Sequence, residues 1–335
     1  MPPGTSRLWS NAGVAHPVLD SVRPVVEAAQ DVSIDLDRLA EHAGWMAYEE
    51  LPPPAFLLPF PLELDRDGIV DFILTATCVN FAFTGFETRE RWEVVVDGRA
   101  LADADGMHYC LQRALASGVP VTDGAWLAQV TEGDLHEIFD GGTSELQLLD
   151  ERARIWREVG TTLVERYDGR FSNVLTSSRL YDGGNGYLEV LTRDFPRFDD
   201  TAVYAGETVR FWKLAQLSVW ILEASLPGGT GFEDLDRLTA FADYIVPAAL
   251  RVLGITHYSD ALESAIREGR PIEAGSAWEV EIRAATIWAC QELTRRVNEL
   301  RPPELQVIVP QVDARLWVPF HRTHYPHHLT RTTYY

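Results

Sequence analysis

Apolar residues recur at helical spacing over most of this chain, and the exceptions concentrate in its first third. Residues 21–44 read as a helix, a loop and a second helix beginning at Ile34. The proline-rich run Leu51–Pro61 predicts extended, stiffened backbone that cannot be helical. Ile69–Phe83 is apolar and β-branched, and its periodicity leaves a buried helix and strands both open. Arg91–Arg99 predicts a hairpin strand with its turn at Asp97-Gly98. From Gly106 onward the pattern is helical, over 106–117, 131–139, 146–167, 170–178, 184–194, 206–225, 233–242, 247–254, 259–268 and 277–299. Asp182-Gly-Gly-Asn-Gly reads as a loop, Pro302-Pro303 ends the last helix, and Leu305–Val309 reads as a strand. The expected fold is mainly α with a small β element in the N-terminal third. It is expected as a single compact unit over 1–335, with a possible subdivision into an α+β part, 1–145, and a helical part, 146–335.

A chain of 335 residues, 46% hydrophobic and 24% charged, has the composition of a globular protein with ample core. Met1–Arg23 shows no secretory pattern, and the longest apolar run, Leu214–Leu226, is interrupted by Gln216, Ser218 and Glu223 and is too short to span a bilayer. Cys78, Cys110 and Cys290 are widely spaced and odd in number, which fits reduced, buried thiols of a cytoplasmic protein. The net charge of −21 is the strongest exclusion. Duplex nucleic acid is held by neutralising many phosphates with Lys and Arg, and an acidic shell repels such a polyanion. A mononucleotide remains open, because one or two cations suffice for one phosphate.

Lys213 is the only lysine; every other basic side chain among the 29 Lys and Arg is Arg. It sits in Gly206-Glu-Thr-Val-Arg-Phe-Trp-Lys-Leu-Ala-Gln216, a glycine turn leading into an apolar helix. An isolated acid, Asp243, follows in Phe241-Ala-Asp-Tyr244, just before Pro247. Breaking an N-glycosidic bond passes through a cation-like sugar and needs a fixed carboxylate beside the anomeric carbon. Asp243 suits that role, at a helix start whose dipole favours the ionised form. The plainer reading is a helix-capping aspartate; Phe241, a ring suited to stacking on a base, argues for the functional one.

Asp194-Phe-Pro-Arg-Phe-Asp-Asp200, the Gly206–Gln216 segment, Leu238–Pro247, Glu279-Val-Glu-Ile-Arg283 and the ending Pro326–Tyr335 occur here in one order. Together they resemble the queuosine salvage family of queuosine 5′-phosphate N-glycosylases, over most of the chain from about Asp31 onward. That family is similar in fold to helix-hairpin-helix DNA glycosylases. The resemblance implies hydrolysis of queuosine 5′-monophosphate to queuine and ribose 5-phosphate, with Asp243 as catalytic carboxylate and Phe241 on the base. It also places Asp313 as a polar reader and Trp317 as a wall of the base pocket. Glu49 stands where family members carry a His. A carboxylate and an aromatic face suit the cationic amine of queuine. Lys213 is then a candidate for the 5′-phosphate and Asp200 for the ribose. No cofactor or metal is expected, and the partner is a small nucleotide rather than duplex nucleic acid or membrane.

Three other signals compete with this reading. His321, His324, His327 and His328 crowd a proline-interrupted tail, better read as docking on the core than as a metal site. Glu279 and Arg283, four apart on one helix, read as a buried ion pair, with Arg283 a lesser phosphate candidate. Trp212, Trp220 and Trp288 read as packing. The alternatives to a nucleotide hydrolase are a DNA base-excision glycosylase, which the charge disfavours, and a non-catalytic nucleotide-binding module.

Overall fold

The computed structural model describes residues 15–51, 63–323 and 325–335. Its helices and strands run, in chain order, α1 (Pro17–Ala28), β1 (Val32–Ile34), α2 (Leu36–Met46), α3 (Arg66–Cys78), β2 (Glu93–Val96), β3 (Arg99–Ala102), α4 (Asp103–Ala116), α5 (Gly124–Leu127), α6 (Glu132–Ile138), α7 (Leu149–Arg166), α8 (Tyr187–Asp194), β4 (Thr201–Tyr204), β5 (Glu207–Arg210), α9 (Lys213–Ser225), α10 (Ile245–Val252), β6 (Thr256–Tyr258), α11 (Asp260–Arg267), α12 (Ala277–Glu299) and α13 (Val309–His321). The protein is mainly α, and its strands pair only as two-stranded antiparallel ribbons, β1 with β6, β2 with β3 and β4 with β5. Most of the proline-rich run lies outside the described residues.

Contacts divide the chain into two interleaved units. One comprises the described residues up to Leu51, Thr201–Phe211 and Asp236–Thr330; the other comprises residues 63–200, Trp212–Leu235 and Arg331–Tyr335. In the first unit α12 is the central element, with α1, α2, α10 and α13 packed on it. Leu39, Ala43, Val246, Leu250, Leu293, Val297, Val312 and Leu316 close one core around it, and Ala240 and Cys290 belong to the same cluster. In the second unit α3 is buried on every face from Ile69 to Cys78, which is why its periodicity left helix and strand open. Helices α4, α7 and α9 pack against it. Cys78, Cys110 and Cys290 are all buried and unpaired with one another.

Four expected elements differ, the first being the helix expected over 170–178, where only a 3₁₀ turn forms at Phe171–Val174. Residues 206–225 were expected as one helix, but the chain forms β5 and then α9. Ala205 and Gly206 both have positive φ, +50° and +86°, the geometry of the two-residue turn that closes the β4–β5 ribbon, and glycine adopts it freely. Residues 233–242 hold only a 3₁₀ turn at Leu235–Arg237 before an irregular strap. Leu305–Val309 is not a strand. A 3₁₀ turn at Pro303–Leu305 leads into α13, whose second residue is Pro310, and proline in a first helical turn loses no hydrogen bond.

Candidate active site

The strap from Leu238 to Tyr244 owes its shape to side chains of two helices. Its backbone polar groups, which a helix would have paired internally, are taken up one residue at a time. The Phe241 N–H donates to Asp313 Oδ2 on α13 at 2.9 Å. The Ala242 carbonyl accepts from Arg283 Nε on α12 at 3.1 Å. Arg283 is fixed in turn by Glu279 at 3.4 Å and by the Phe211 ring, 4.0 Å beneath its guanidinium. The ion pair read from the four-residue spacing is therefore present and buried, and it holds the strap.

Asp243 closes the strap and is only 8% exposed. Its Oδ1 accepts from the backbone N–H groups of Ile245 at 2.7 Å and Val246 at 3.1 Å, capping α10. Pro247 lies within that first turn, where the missing N–H costs nothing. Its Oδ2 accepts from the indole Nε1–H of Trp317 at 3.0 Å. The capping reading of this aspartate thus describes one oxygen, and the other faces α13. Asp313 is 4% exposed and Phe241 5%. Beneath them, burial pushes the Cys290 thiol well above its usual range, and the carboxylates of Asp313 and Asp243 push in the same direction, so the thiol stays neutral.

Asp313, Trp317 and His321 are spaced four apart on α13 and so share one face of it. His321 stacks on Trp317 with ring centroids 3.9 Å apart and planes 18° apart. His327 stacks on Tyr244, the residue after Asp243, at 4.4 Å and 26°. His328 is buried, and burial together with the positive charges of His327, Arg283 and Arg251 pushes its pKa down to about 3. His321 thus ends a helix instead of lying in an irregular tail; His324 is outside the described residues. Among the described residues no three His, Cys, Asp or Glu side chains gather as metal ligands. Arg283, a lesser phosphate candidate from sequence, instead clamps the strap backbone, and the two stacked histidines had no site role from sequence. The four-residue spacing of Asp313, Trp317 and His321 is the signal that α13 would have supplied.

Glu49 is placed differently. Its half-buried carboxylate is paired with Arg315, the guanidinium Nη2 donating to Oε1 at 3.0 Å and Nε donating to Oε2. Arg315 is two residues from Asp313, about 200° around the helix, so this ion pair lies off the Asp313–Trp317 face. Lys213 and Asp200 belong to the second unit and are brought together there. The Lys213 backbone N–H donates to Asp200 Oδ2 at 3.3 Å, and the Trp212 N–H donates to the Asp200 carbonyl at 3.2 Å. Trp212 has a left-handed φ of +48° and donates its indole N–H to Asp199 at 2.9 Å. Asp200 is 1% exposed and Lys213 6%. Arg197, buried close by, donates Nε–H to the Cys78 carbonyl at 2.6 Å, and burial pushes its pKa down to about 10.

These features define a mainly α protein that carries one buried, hydrogen-bonded carboxylate, Asp243, at the start of a short helix and a second, Asp313, on α13. The sequence profile of the queuosine salvage protein family matches residues 61–335, and the chain belongs to that family. It is 41% identical over 323 residues to the queuosine 5′-phosphate N-glycosylase/hydrolase of Sphaerobacter thermophilus, covering 95% of this chain and 97% of that protein. The protein of the same name from Mus musculus is 28% identical over 338 residues, covering 91% and 96%. That from Nematostella vectensis is 31% identical over 236 residues, covering 70% and 67%.

Proposed function

We propose that this protein hydrolyses the N-glycosidic bond of queuosine 5′-monophosphate, releasing queuine and ribose 5-phosphate. It is an N-glycosyl hydrolase, as its relatives are named. The observation that carries the chemistry is the setting of Asp243. A carboxylate offers about four acceptor directions. Among the described residues three are occupied by N–H donors, leaving one on Oδ2. Three such donors fix its orientation. In the reaction the bond from C1′ to the base nitrogen breaks with its electron pair going to the base. The Asp243 carboxylate stabilises the positive charge that develops on the sugar. A water oxygen bonds to C1′ and loses its proton to Asp243, and the departing base gains one.

In this reading Phe241 and Trp317 supply aromatic faces to the base, and Asp313 supplies the carboxylate that its cationic amine requires. Glu49 remains a further candidate for the base through its place in the sequence. Lys213 is assigned to the 5′-phosphate and Asp200 to the ribose. No cofactor is required, and the substrate is a free nucleotide of the cytoplasm. A chain of net charge −21 is a poor partner for duplex DNA, which argues against a base-excision enzyme. Among the described residues no helix is long and apolar enough to cross a membrane.

The test is substrate choice. Purified protein is incubated with queuosine 5′-monophosphate, queuosine and guanosine 5′-monophosphate, and free base is resolved by chromatography. Release of queuine from the first, fastest of the three, is expected. Equal release of guanine, or no release of queuine, would reject the assignment.

A further inference from the structure

We propose that Trp317 is a positioning residue that aims the Asp243 carboxylate, and that His321 holds the indole in the plane this requires. The inference rests on Asp243 being the catalytic group. The two backbone donors that cap α10 both meet the same oxygen, Oδ1. The last torsion of an aspartate is broad, so bonds to one oxygen leave the carboxylate able to pivot about it. The Trp317 N–H at 3.0 Å from Oδ2 supplies the second point that fixes the plane. An indole N–H donates only, so it orients the carboxylate without competing for the proton that Asp243 is to accept.

The direction of that N–H follows from the plane of the ring. His321, one turn further along α13, lies face to face with the indole at 3.9 Å and 18°. One turn earlier, Asp313 anchors Phe241 and with it the backbone that carries Asp243. Three consecutive turns of one helix face thus control the position of the strap, the plane of its carboxylate and the plane of the ring that sets it. Arg283 and Asp313 are engaged with the strap backbone, and the hydrogen bond to Oδ2 comes from Trp317. Trp317 is consequently more than a wall for the base.

W317F keeps an aromatic ring and removes the N–H. Its kcat on queuosine 5′-monophosphate is expected to fall ~10- to 100-fold, the loss of one hydrogen bond to an ionised group, with KM nearly unchanged. A KM that carries the whole change at wild-type kcat would overturn the inference and leave Trp317 as a wall. H321F, which keeps a stacked ring, is expected to retain more turnover than H321A; equal, wild-type turnover in both would remove His321. Should W317F lose its cooperative melt, the His321 pair carries the comparison, because the indole stays in place. D243N measured alongside separates the claims. If it turns over like the wild type, the catalytic assignment fails and this inference with it. If it is inactive, the Trp317 and His321 variants decide the inference by themselves.

Discussion

Asp243 and Asp313 each hold backbone N–H groups as well as carrying a proposed chemical role, so a substitution there acts on both. Asparagine at 243 keeps an oxygen for the Ile245 and Val246 N–H groups, so the cap and the fold should survive while the charge is lost. At 313, alanine would release the Phe241 N–H as well as the charge, mixing two effects. D313N is the cleaner change, since it retains an acceptor for that N–H. Its KM for queuosine 5′-monophosphate is expected to rise, and its preference over guanosine 5′-monophosphate to narrow, because the cationic amine of queuine loses its counter-charge. Steady-state kinetics on both nucleotides, with a melting curve to confirm folding, measure this. Unchanged discrimination would take Asp313 out of base recognition. The candidate residues themselves were readable from the sequence because Asp243 and Phe241 sit in a short polar-aromatic break beside a proline. The hydrogen bond from Trp317 was not, since it joins residues 74 apart.

At the level of elements, legibility followed how self-contained each one is. The 277–299 helix was placed to the residue, because Ser276 caps its start and Pro302 follows its end. Part of the strap, 238–242, falls in the helix expected over 233–242. Arg283, Asp313 and Trp317 override that preference with tertiary hydrogen bonds. Leu305–Val309 was expected as a strand, yet among the described residues no strand pairs with it, and α13 begins at Val309 with Pro310 in its first turn. Lys213 is the first residue of α9, with its backbone N–H committed to Asp200. If the amine grips a phosphate, borohydride should trap no protein–sugar adduct during turnover, and K213R should keep partial activity. K213A should lose the preference for the monophosphate over the nucleoside. An adduct mapped to Lys213 would instead make it a nucleophile forming a Schiff base.

Across the whole molecule, histidines buried in the neutral form contribute to acid sensitivity. Burial pushes His108 down to about 4 and His328 down to about 3. Both titrate near 6.5 when unfolded. Between that value and about 3 to 4 the unfolded chain binds protons that the folded chain does not, so stability falls as pH falls through this window. The melting temperature is expected to drop from pH 6.5 toward 4, and H328N should flatten the slope; an identical slope in that variant would show that His328 does not drive it. At this scale the composition argues for a small nucleotide against a polyanion, through the net charge of −21. The interleaved division of the chain could not be foreseen, since Thr201–Phe211 and Asp236–Thr330 join the first unit only through long-range packing.

The central claim is that Asp243 performs the hydrolysis on a nucleotide the protein holds by other groups. The most direct measurement is D243N mixed in excess with queuosine 5′-monophosphate, following nucleotide binding and release of queuine in the same samples. Binding close to wild type with release slowed at least ~10²-fold, the scale of one preorganised transition-state group, is the predicted result. Release of queuine at the wild-type rate would contradict it.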